Sequence, residues 1–317
     1  MKDIGGYFGL EPRVGKNFDK EFSFTVNSCR NALLLLLLHY KYHKIHIPYF
    51  TCEVIIDVIK KSGVDYVFYN VNNDLEIERI EVKANEALLY TNYFGIKDSY
   101  IKKISKKYGN LIVDNAQAFY SSPIDLVDTI YSPRKFFGLP DGGGLVTTAK
   151  IGVEAYPMDY SYDRCSHLLK RIDLSAGGGY EDFKNNDASL KGEPIKRMSK
   201  LTTVLLKSID LAFVKKIRRS NFDFLHHKLS AKNKLKFDIH SDSVPMVYPL
   251  FVDNGERIKK TLIDNNVFIA TYWNEVLQLV NENSVEANLV NNLVAIPIDQ
   301  RYTTREMNYI LSLIDSA

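Results

Sequence analysis

Short apolar segments alternate with helical patterns over residues 22–149, and this alternation constrains the fold more than any other feature of the sequence. The apolar segments FSFTV, KIHIP, DYVFYNV, ALLYT, LIVD, TIYS and GLVTTA lie at residues 22–26, 44–48, 65–71, 87–91, 111–114, 129–132 and 144–149. Helical patterns separate several of them. Such alternation predicts an α/β domain with a mostly parallel central sheet flanked by helices.

Polar residues follow three of the predicted strands. They are Asn27, Ser28 and Cys29 after the first strand, Asp114 at the end of LIVD, and residues 132–135 after TIYS. In open α/β sheets, ligands bind outside the carboxyl ends of the strands. We therefore expect these residues to share one edge of the sheet.

The pattern changes after residue 150. Residues 151–196 are rich in Tyr, Asp, Gly and Asn, which predicts long loops with little regular structure. Residues 198–229 have the apolar spacing of one long helix or two joined helices. The remainder predicts a smaller α+β domain, with strands at residues 237–240, 246–252 and 267–271 and a last helix at 304–314. The predicted domains are residues 1–200 and residues 201–317.

Charge and cysteine content narrow the function classes. Lys and Arg total 41 and Asp and Glu 38, a net charge of +3, which argues against a nucleic-acid-binding surface. The most apolar run, residues 33–38, is far shorter than the ~20 residues that span a bilayer, and no secretory signal is visible. Three cysteines without a CxxC pair predict no disulfide framework and no metal site. We expect a cytoplasmic protein with small-molecule ligands and neither nucleic acid nor membrane as a partner.

The segment YSPRKFFGLPDGGGL, residues 131–145, is the most informative part of the chain. Lys135 follows a predicted strand and precedes an apolar pair and a run of glycines, which permit close backbone approach. Asp114 ends an apolar strand, where a carboxylate is unfavourable to bury unless it meets a cation. The simpler interpretations are a solvated Lys135 and an Asp114 that caps a turn.

Taken together in chain order, seven segments resemble the fold-type-I pyridoxal-phosphate enzymes and, more narrowly, the DegT/StrS family of sugar aminotransferases. The segments are VNSCRNALLLLL, IPYFTCEVIIDVIKKSG, LYTNYFG, VDNAQAF, SPRKFFGLPDGGGL, IKRMSKLT and IPIDQRYT. They cover most of the chain. DNAQA and the spacing from Lys135 to DGG are the most specific.

The resemblance implies pyridoxal 5'-phosphate as the cofactor, with pyridoxamine 5'-phosphate as its second form. Lys135 is similar to the family lysine that binds the cofactor covalently and transfers the proton. Asp114 is similar to the carboxylate that pairs with the pyridine nitrogen. The remaining implied contacts are Gln117 near the ring, and Ser132 and the turn of Ser28, Cys29 and Arg30 at the phosphate.

Two positions depart from the family pattern. Cys52 stands where the family usually has an aromatic residue stacked on the cofactor ring, with Tyr49 and Phe50 nearby as substitutes. Ile195 stands where the family often has an asparagine that reaches the phosphate of the neighbouring subunit. The cationic residues that could compensate are Arg30, Lys196 and Arg197.

By this resemblance the protein is expected to transfer an amino group, typically from glutamate, to a keto-sugar nucleotide, giving an amino sugar for a surface polysaccharide or a related metabolite. It is expected to be a homodimer with its sites at the subunit interface. Tyr160, Tyr162 and Arg197 are candidate substrate contacts, although the Tyr-rich segment could equally be a surface crossover. Two alternatives are a cofactor-binding protein without turnover and a pyridoxamine-dependent sugar dehydratase. Lys135 argues against the second, whose known members carry histidine there.

Overall fold

The computed structural model of the protein describes residues 10–12, 20–237, 239–240 and 242–317. Its centre is a seven-stranded sheet with the order β1-β7-β6-β5-β4-β2-β3. The strands are β1 (Phe24–Val26), β2 (Lys44–Pro48), β3 (Asp65–Tyr69), β4 (Glu86–Thr91), β5 (Leu111–Asn115), β6 (Asp128–Tyr131) and β7 (Gly143–Val146). Neighbouring strands from β3 to β6 are parallel, and β7 is antiparallel to both β6 and β1. The predicted fold, α/β with a mostly parallel sheet, is confirmed.

Helices α1 (Cys29–Tyr40), α2 (Glu53–Ser62) and α3 (Asp98–Ile104) connect these strands. The hydroxyl of Ser28 begins α1 by accepting a hydrogen bond from the N–H of Asn31 at 3.2 Å. Residues 33–37, the leucine run, are buried. Helix α2 ends at Gly63, whose φ of +76° favours glycine.

Both faces of the sheet are covered, as parallel sheets require. Along β4, Leu88 and Tyr90 belong to one hydrophobic cluster and Leu89 to another. The first cluster extends to Leu293 and Ala295 in the C-terminal part of the chain. The strands therefore have apolar residues at successive positions, and their carboxyl ends carry the polar ones.

The prediction of little regular structure over residues 151–196 is wrong. Helices α4 (Ser166–Asp173) and α5 (Tyr180–Ser189) form there, separated by the SAGGG turn. Tertiary contacts stabilise α5 despite its polar sequence, because the buried Asn186 donates from Nδ2 to the carbonyl of Pro140 at 3.0 Å. Composition alone carries no information on such a contact.

The C-terminal part begins with two helices rather than one, α6 (Lys200–Lys207) and α7 (Leu211–Leu229). A two-stranded antiparallel sheet pairs β8 (Val247–Phe251) with β9 (Leu293–Pro297). Helices α8 (Gly255–Asp264), α9 (Val285–Asn292) and α10 (Thr304–Ser316) complete it. The strand predicted at residues 267–271 does not form, and the one predicted at 237–240 includes residue 238, outside the described residues. The predicted domain division at residue 200 stays a prediction.

Across the described ranges, none of the helices has the length and apolar character that crossing a membrane requires.

Candidate active site

The carboxyl edge of the sheet brings most of the predicted site residues together. Strand β1 is antiparallel to β7, and β7 is antiparallel to β6, so β1 runs in the same direction as β5 and β6. Ser28 follows β1, Asp114 lies near the end of β5, and Ser132 and Lys135 follow β6. The expected common edge is therefore formed.

Asp114 is a buried carboxylate that interacts electrostatically with Lys135. Its side chain accepts a hydrogen bond from the N–H of Ala116 at 2.8 Å, and the residue is 7% exposed. Burial raises the pKa of Asp114, and the positive charge of Lys135 opposes that shift. A carboxylate in this position is suited to hold a cationic group of a ligand.

Gln117 presents an unsatisfied hydrogen-bond donor beside Asp114. Its Oε1 accepts from the N–H of Phe94 at 2.8 Å, but its Nε2 is buried and has no partner within the described part of the chain. The buried Oγ1 of Thr91 likewise lacks a partner among those residues, and Thr91 pairs with Asp114 across β4 and β5. Buried polar atoms are rarely left unpaired, so these two atoms are available to bind a polar ligand.

Lys135 ends a short 3-10 helix, Pro133–Lys135. Its backbone N–H donates to the carbonyl of Ser132 at 3.2 Å. The positive charge of Lys135 lowers the pKa values of Asp114, Cys29 and Cys52, although burial raises all three overall. The lysine therefore lies within electrostatic range of three predicted site residues. Its side chain is exposed in the single chain, so the burial expected for a nucleophilic amine is not supplied by this chain alone.

The turn before α1 packs tightly against the glycine run. A Cβ at position 143 would lie 2.3 Å from the carbonyl carbon of Ser28 and 2.5 Å from the nitrogen of Cys29. Only glycine allows this approach. Ser132 is 8% exposed at the end of β6. The helix N-terminus and the Ser132 segment thus form one side of the edge, an arrangement that attracts anions.

Asp141 of the DGG motif has a structural role. It is fully buried and accepts hydrogen bonds from the N–H of Ser199 at 2.9 Å, from the hydroxyl of Ser199 at 2.8 Å and from the hydroxyl of Thr202. These contacts hold the beginning of α6 against the glycine run. The motif therefore organises the site without facing it.

Sequence reasoning missed an ion cluster next to Lys135. Asp187 of α5 contacts Nη2 of Arg30 at 3.2 Å and Nη1 of Arg134 at 3.3 Å. Arg134 directly precedes Lys135, which is a signal the sequence contained. Asp187, more than fifty residues further on, carried no local signal.

The aromatic substitutes proposed for the Cys52 position are not available. Tyr49 stacks on Phe68 with 4.5 Å between ring centroids. Phe50 is fully buried against Tyr93 and Trp273. Burial raises the pKa of the Cys52 thiol, and the positive charge of Lys135 opposes the shift, so Cys52 lies within electrostatic range of the lysine.

The predicted substrate residues are differently placed. Tyr160 and Tyr162 are 73% and 77% exposed. The backbone of Arg197 forms bridges with Val26 and Met158, and its buried Nε has no partner among the residues the structure describes. Ile195 is buried in the hydrophobic cluster that contains Val26. Its side chain has no polar group to offer a phosphate.

Lys196, one of the three residues named to compensate for Ile195, is engaged elsewhere. Its Nζ contacts Glu193 at 2.7 Å and Asp159 at 3.5 Å. The hydrogen bond to Glu193 raises the pKa of Lys196. Arg30 also pairs with an acidic residue, Asp187, and it lies within electrostatic range of Cys29 at the carboxyl edge.

Comparison with solved structures shows that the chain has the fold of sugar aminotransferases. The sugar aminotransferase CalS13 of Micromonospora echinospora is 15% identical with a TM-score of 0.64, over 93% of this chain and 87% of that one. DesV of S. venezuelae, solved in complex with a ketimine intermediate, is 14% identical with a TM-score of 0.65, over 92% and 83%. NtdA of Bacillus subtilis, solved with bound pyridoxamine phosphate, is 13% identical with a TM-score of 0.63, over 92% and 73%. No protein-family profile and no curated protein sequence matches the chain.

Proposed function

We propose that the protein is a pyridoxal-phosphate-dependent aminotransferase that transfers an amino group from glutamate to a keto-sugar nucleotide. The observation that carries this proposal is the convergence of Lys135, the buried Asp114 and the unpaired Nε2 of Gln117 at the carboxyl edge of the sheet. The shared fold with sugar aminotransferases supports it.

The residues at this edge fit the cofactor. Asp114 offers a buried carboxylate to a pyridinium nitrogen, and that ion pair would offset the unfavourable burial that now raises the pKa of Asp114. Nε2 of Gln117 offers a donor to a ring oxygen. Ser28, Ser132 and the first N–H groups of α1 offer donors to a phosphate. Bound there, the cofactor supplies the electron sink that stabilises a carbanion.

Lys135 is the residue proposed to hold the cofactor and to move the proton. Its amine must lose its own proton before it can act as a nucleophile. Arg134 directly precedes Lys135, and Arg134 and Arg30 both contact Asp187. Asp114 keeps the opposite, pyridine end of the site negative. The two charged groups thus have separate roles, proton transfer and electronic tuning.

The acceptor is proposed to be a keto-sugar nucleotide and the product an amino sugar, used for surface polysaccharide. The fold shared with the sugar aminotransferase CalS13 supports the sugar class. The exposed rings of Tyr160 and Tyr162 suit contact with a sugar or base, and the unpaired Nε of Arg197 suits an anionic group.

A homodimer is proposed as the working form, located in the cytoplasm. Apolar side chains of α4, α5 and the turn between them are 48–81% exposed, which is unusual for a surface that stays in water. They are Leu169, Ile172, Leu174, Tyr180 and Phe183. A second copy would cover this patch and could also bury Lys135. The three free cysteines suit a reducing compartment.

A cofactor-binding protein without turnover is the second candidate. The packing of Tyr49 and Phe50 away from the site favours it, because Cys52 alone is a poor stacking surface for a ring. The sugar dehydratase stays disfavoured by Lys135.

A spectral titration tests the proposal. Wild-type protein should develop the absorbance band of lysine-bound pyridoxal phosphate, and Lys135→Ala should not. Protein loaded with pyridoxamine phosphate should regain that band with at least one member of a panel of keto-sugar nucleotides. No uptake of the cofactor in excess would contradict both candidates, whereas uptake without amino transfer to any acceptor or from glutamate would favour the second. A monomer with full activity in light scattering would contradict the dimer.

A further inference from the structure

Two arginines converge on one carboxylate next to the proposed cofactor lysine. Nη2 of Arg30 lies 3.2 Å from Oδ2 and 3.4 Å from Oδ1 of Asp187, and Nη1 of Arg134 lies 3.3 Å from Oδ1. Arg30 belongs to the first turn of α1, and Arg134 directly precedes Lys135. The cluster therefore joins the α1 N-terminus to the lysine segment.

The carboxylate satisfies the two guanidinium groups only in part. The side chains of Arg30 and Arg134 are 19% and 14% exposed, whereas that of Asp187 is 48% exposed. Contacts of 3.2–3.4 Å are longer than the ~2.7–2.9 Å typical of charge-assisted hydrogen bonds. The buried Nε of Arg134 has no partner in the described ranges. A larger anion with more oxygens would complete the site.

The electrostatic balance also favours an added anion. Burial lowers the pKa of Arg134, Asp187 opposes the shift, and the positive charge of Arg30 adds to it. Arg30 and Arg134 together bring two positive charges, and the single charge of Asp187 is shared with solvent. The amide N–H groups at the start of α1 add to the positive potential.

We propose that Arg30 and Arg134 bind the phosphate group of the cofactor through their side chains, and that the carboxylate of Asp187 competes with that phosphate for the two guanidinium groups. The identity of the phosphate rests on the function proposed above. A phosphate dianion carries two charges and accepts from both guanidinium groups at once, so it displaces the monovalent carboxylate.

Displacement of Asp187 would be felt by α5. That helix also contacts the site segment through Asn186, whose amide donates to the carbonyl of Pro140. Cofactor binding would thus release the contacts of Asp187 and leave that of Asn186. The same helix carries Tyr180 and Phe183 of the exposed apolar patch.

The test compares pyridoxal phosphate with pyridoxal, which lacks the phosphate. Binding of each is followed by absorbance in wild type, Arg30→Gln, Arg134→Lys and Asp187→Asn, with the exposed Arg171→Gln as control. We expect Arg30→Gln to lower the affinity for pyridoxal phosphate by about 10- to 100-fold and to leave the affinity for pyridoxal nearly unchanged. Arg134→Lys, which keeps the charge but not the fork, should give a smaller loss of the same kind. Asp187→Asn should raise the affinity for pyridoxal phosphate by roughly a few-fold, because a neutral amide replaces the competing carboxylate.

Equal weakening of both ligands by Arg30→Gln, or weaker binding of pyridoxal phosphate by Asp187→Asn, would overturn the inference. A second measurement distinguishes failure of this inference from failure of the proposed function. Inorganic phosphate should raise the melting temperature of wild type and Asp187→Asn more than that of Arg30→Gln. If neither pyridoxal compound binds wild type, the proposed function fails, and the absence of this phosphate effect as well would overturn the anion site.

Discussion

The buried guanidinium of Arg218 donates from Nη2 to the backbone carbonyl of Phe136 at 3.4 Å and lies over the Phe136 ring, 4.6 Å from its centroid. Nη1 of Arg218 donates to the carbonyl of Met246 at 3.0 Å, and Gln300 donates to the same Phe136 carbonyl at 3.0 Å. Phe136 directly follows Lys135. The chain next to Lys135 is thus held in place by hydrogen bonds from Arg218 of α7 and from Gln300.

Arg218→Ala is expected to lower the free energy of unfolding by about 2–4 kcal/mol, because two buried carbonyls lose donors and a cavity remains. Burial lowers the pKa of Arg218 to about 10, still high enough to keep it charged at neutral pH. Urea denaturation measures the effect. Lys216→Ala, exposed on the same helix, is the control and should change stability by less than about 0.5 kcal/mol. Equal values for the two variants would contradict the buried contact.

Asp114→Asn is expected to stabilise the cofactor-free protein as the pH rises. Burial raises the folded-state pKa of Asp114, so the folded state binds this proton more tightly than the unfolded state does. The stabilisation by the protonated carboxyl group is complete below the unfolded-state pKa of about 3.9. It decreases as the pH rises from there through the raised folded-state pKa. Asn does not titrate, so the free energy of unfolding of Asp114→Asn relative to wild type should increase over that pH range.

Denaturation at a series of pH values measures this difference, with the exposed Asp173→Asn as the control. With cofactor the order should reverse, because Asn cannot pair with a pyridinium nitrogen. A wild type whose stability relative to Asp114→Asn does not vary with pH would contradict the assignment.

Gln117→Leu is expected to cost about 1–3 kcal/mol of stability, because the buried N–H of Phe94 loses its acceptor. It should also weaken pyridoxal phosphate binding, because the unpaired Nε2 is removed. Thermal denaturation and absorbance titration measure the two effects. The exposed Gln278→Leu is the matched control and should show neither. Normal cofactor affinity in a folded Gln117→Leu protein would show that Nε2 does not face the ligand.

Gly143→Ala should disturb the phosphate side of the site. The added Cβ would fall 2.4 Å from the carbonyl oxygen of Ser28, so the start of α1 must move. We expect a loss of more than about 2 kcal/mol in unfolding free energy and weaker binding of pyridoxal phosphate. At Gly109 a Cβ meets nothing within 4 Å, so Gly109→Ala should be neutral or slightly stabilising. Similar stability of the two variants would contradict the close approach.

Replacing Tyr160 and Tyr162 together by Ala should raise KM for the acceptor and leave kcat and stability nearly unchanged. Both rings are largely exposed, so their loss removes little packing. Steady-state kinetics with the acceptor found in the panel measures this. Tyr309→Ala, on the exposed face of α10, is the control. An unchanged KM would remove the Tyr-rich segment from the substrate site.

Local pattern predicted the main sheet because each of its strands is an apolar segment with a polar or glycine boundary. KIHIP was predicted at residues 44–48, where β2 forms. The C-terminal sheet was predicted less well. VFIAT and LVAIP are equally apolar, yet only the second pairs with β8, as β9. Burial against a specific partner decided between them, and a local pattern contains no partner.

The sequence by itself determined the alternation of strands and helices, and with it the edge at which Ser28, Asp114 and Lys135 meet, because strand direction follows from topology. Only the tertiary structure decided which groups surround that lysine. Arg30 and Asp187 are 157 residues apart, and Arg218 and Phe136 are 82 apart. The unpaired Nε2 of Gln117 is likewise defined by what packs around it. Periodicity reports the environment of a residue, whereas ion pairs and orphaned donors depend on distances that only the folded chain sets.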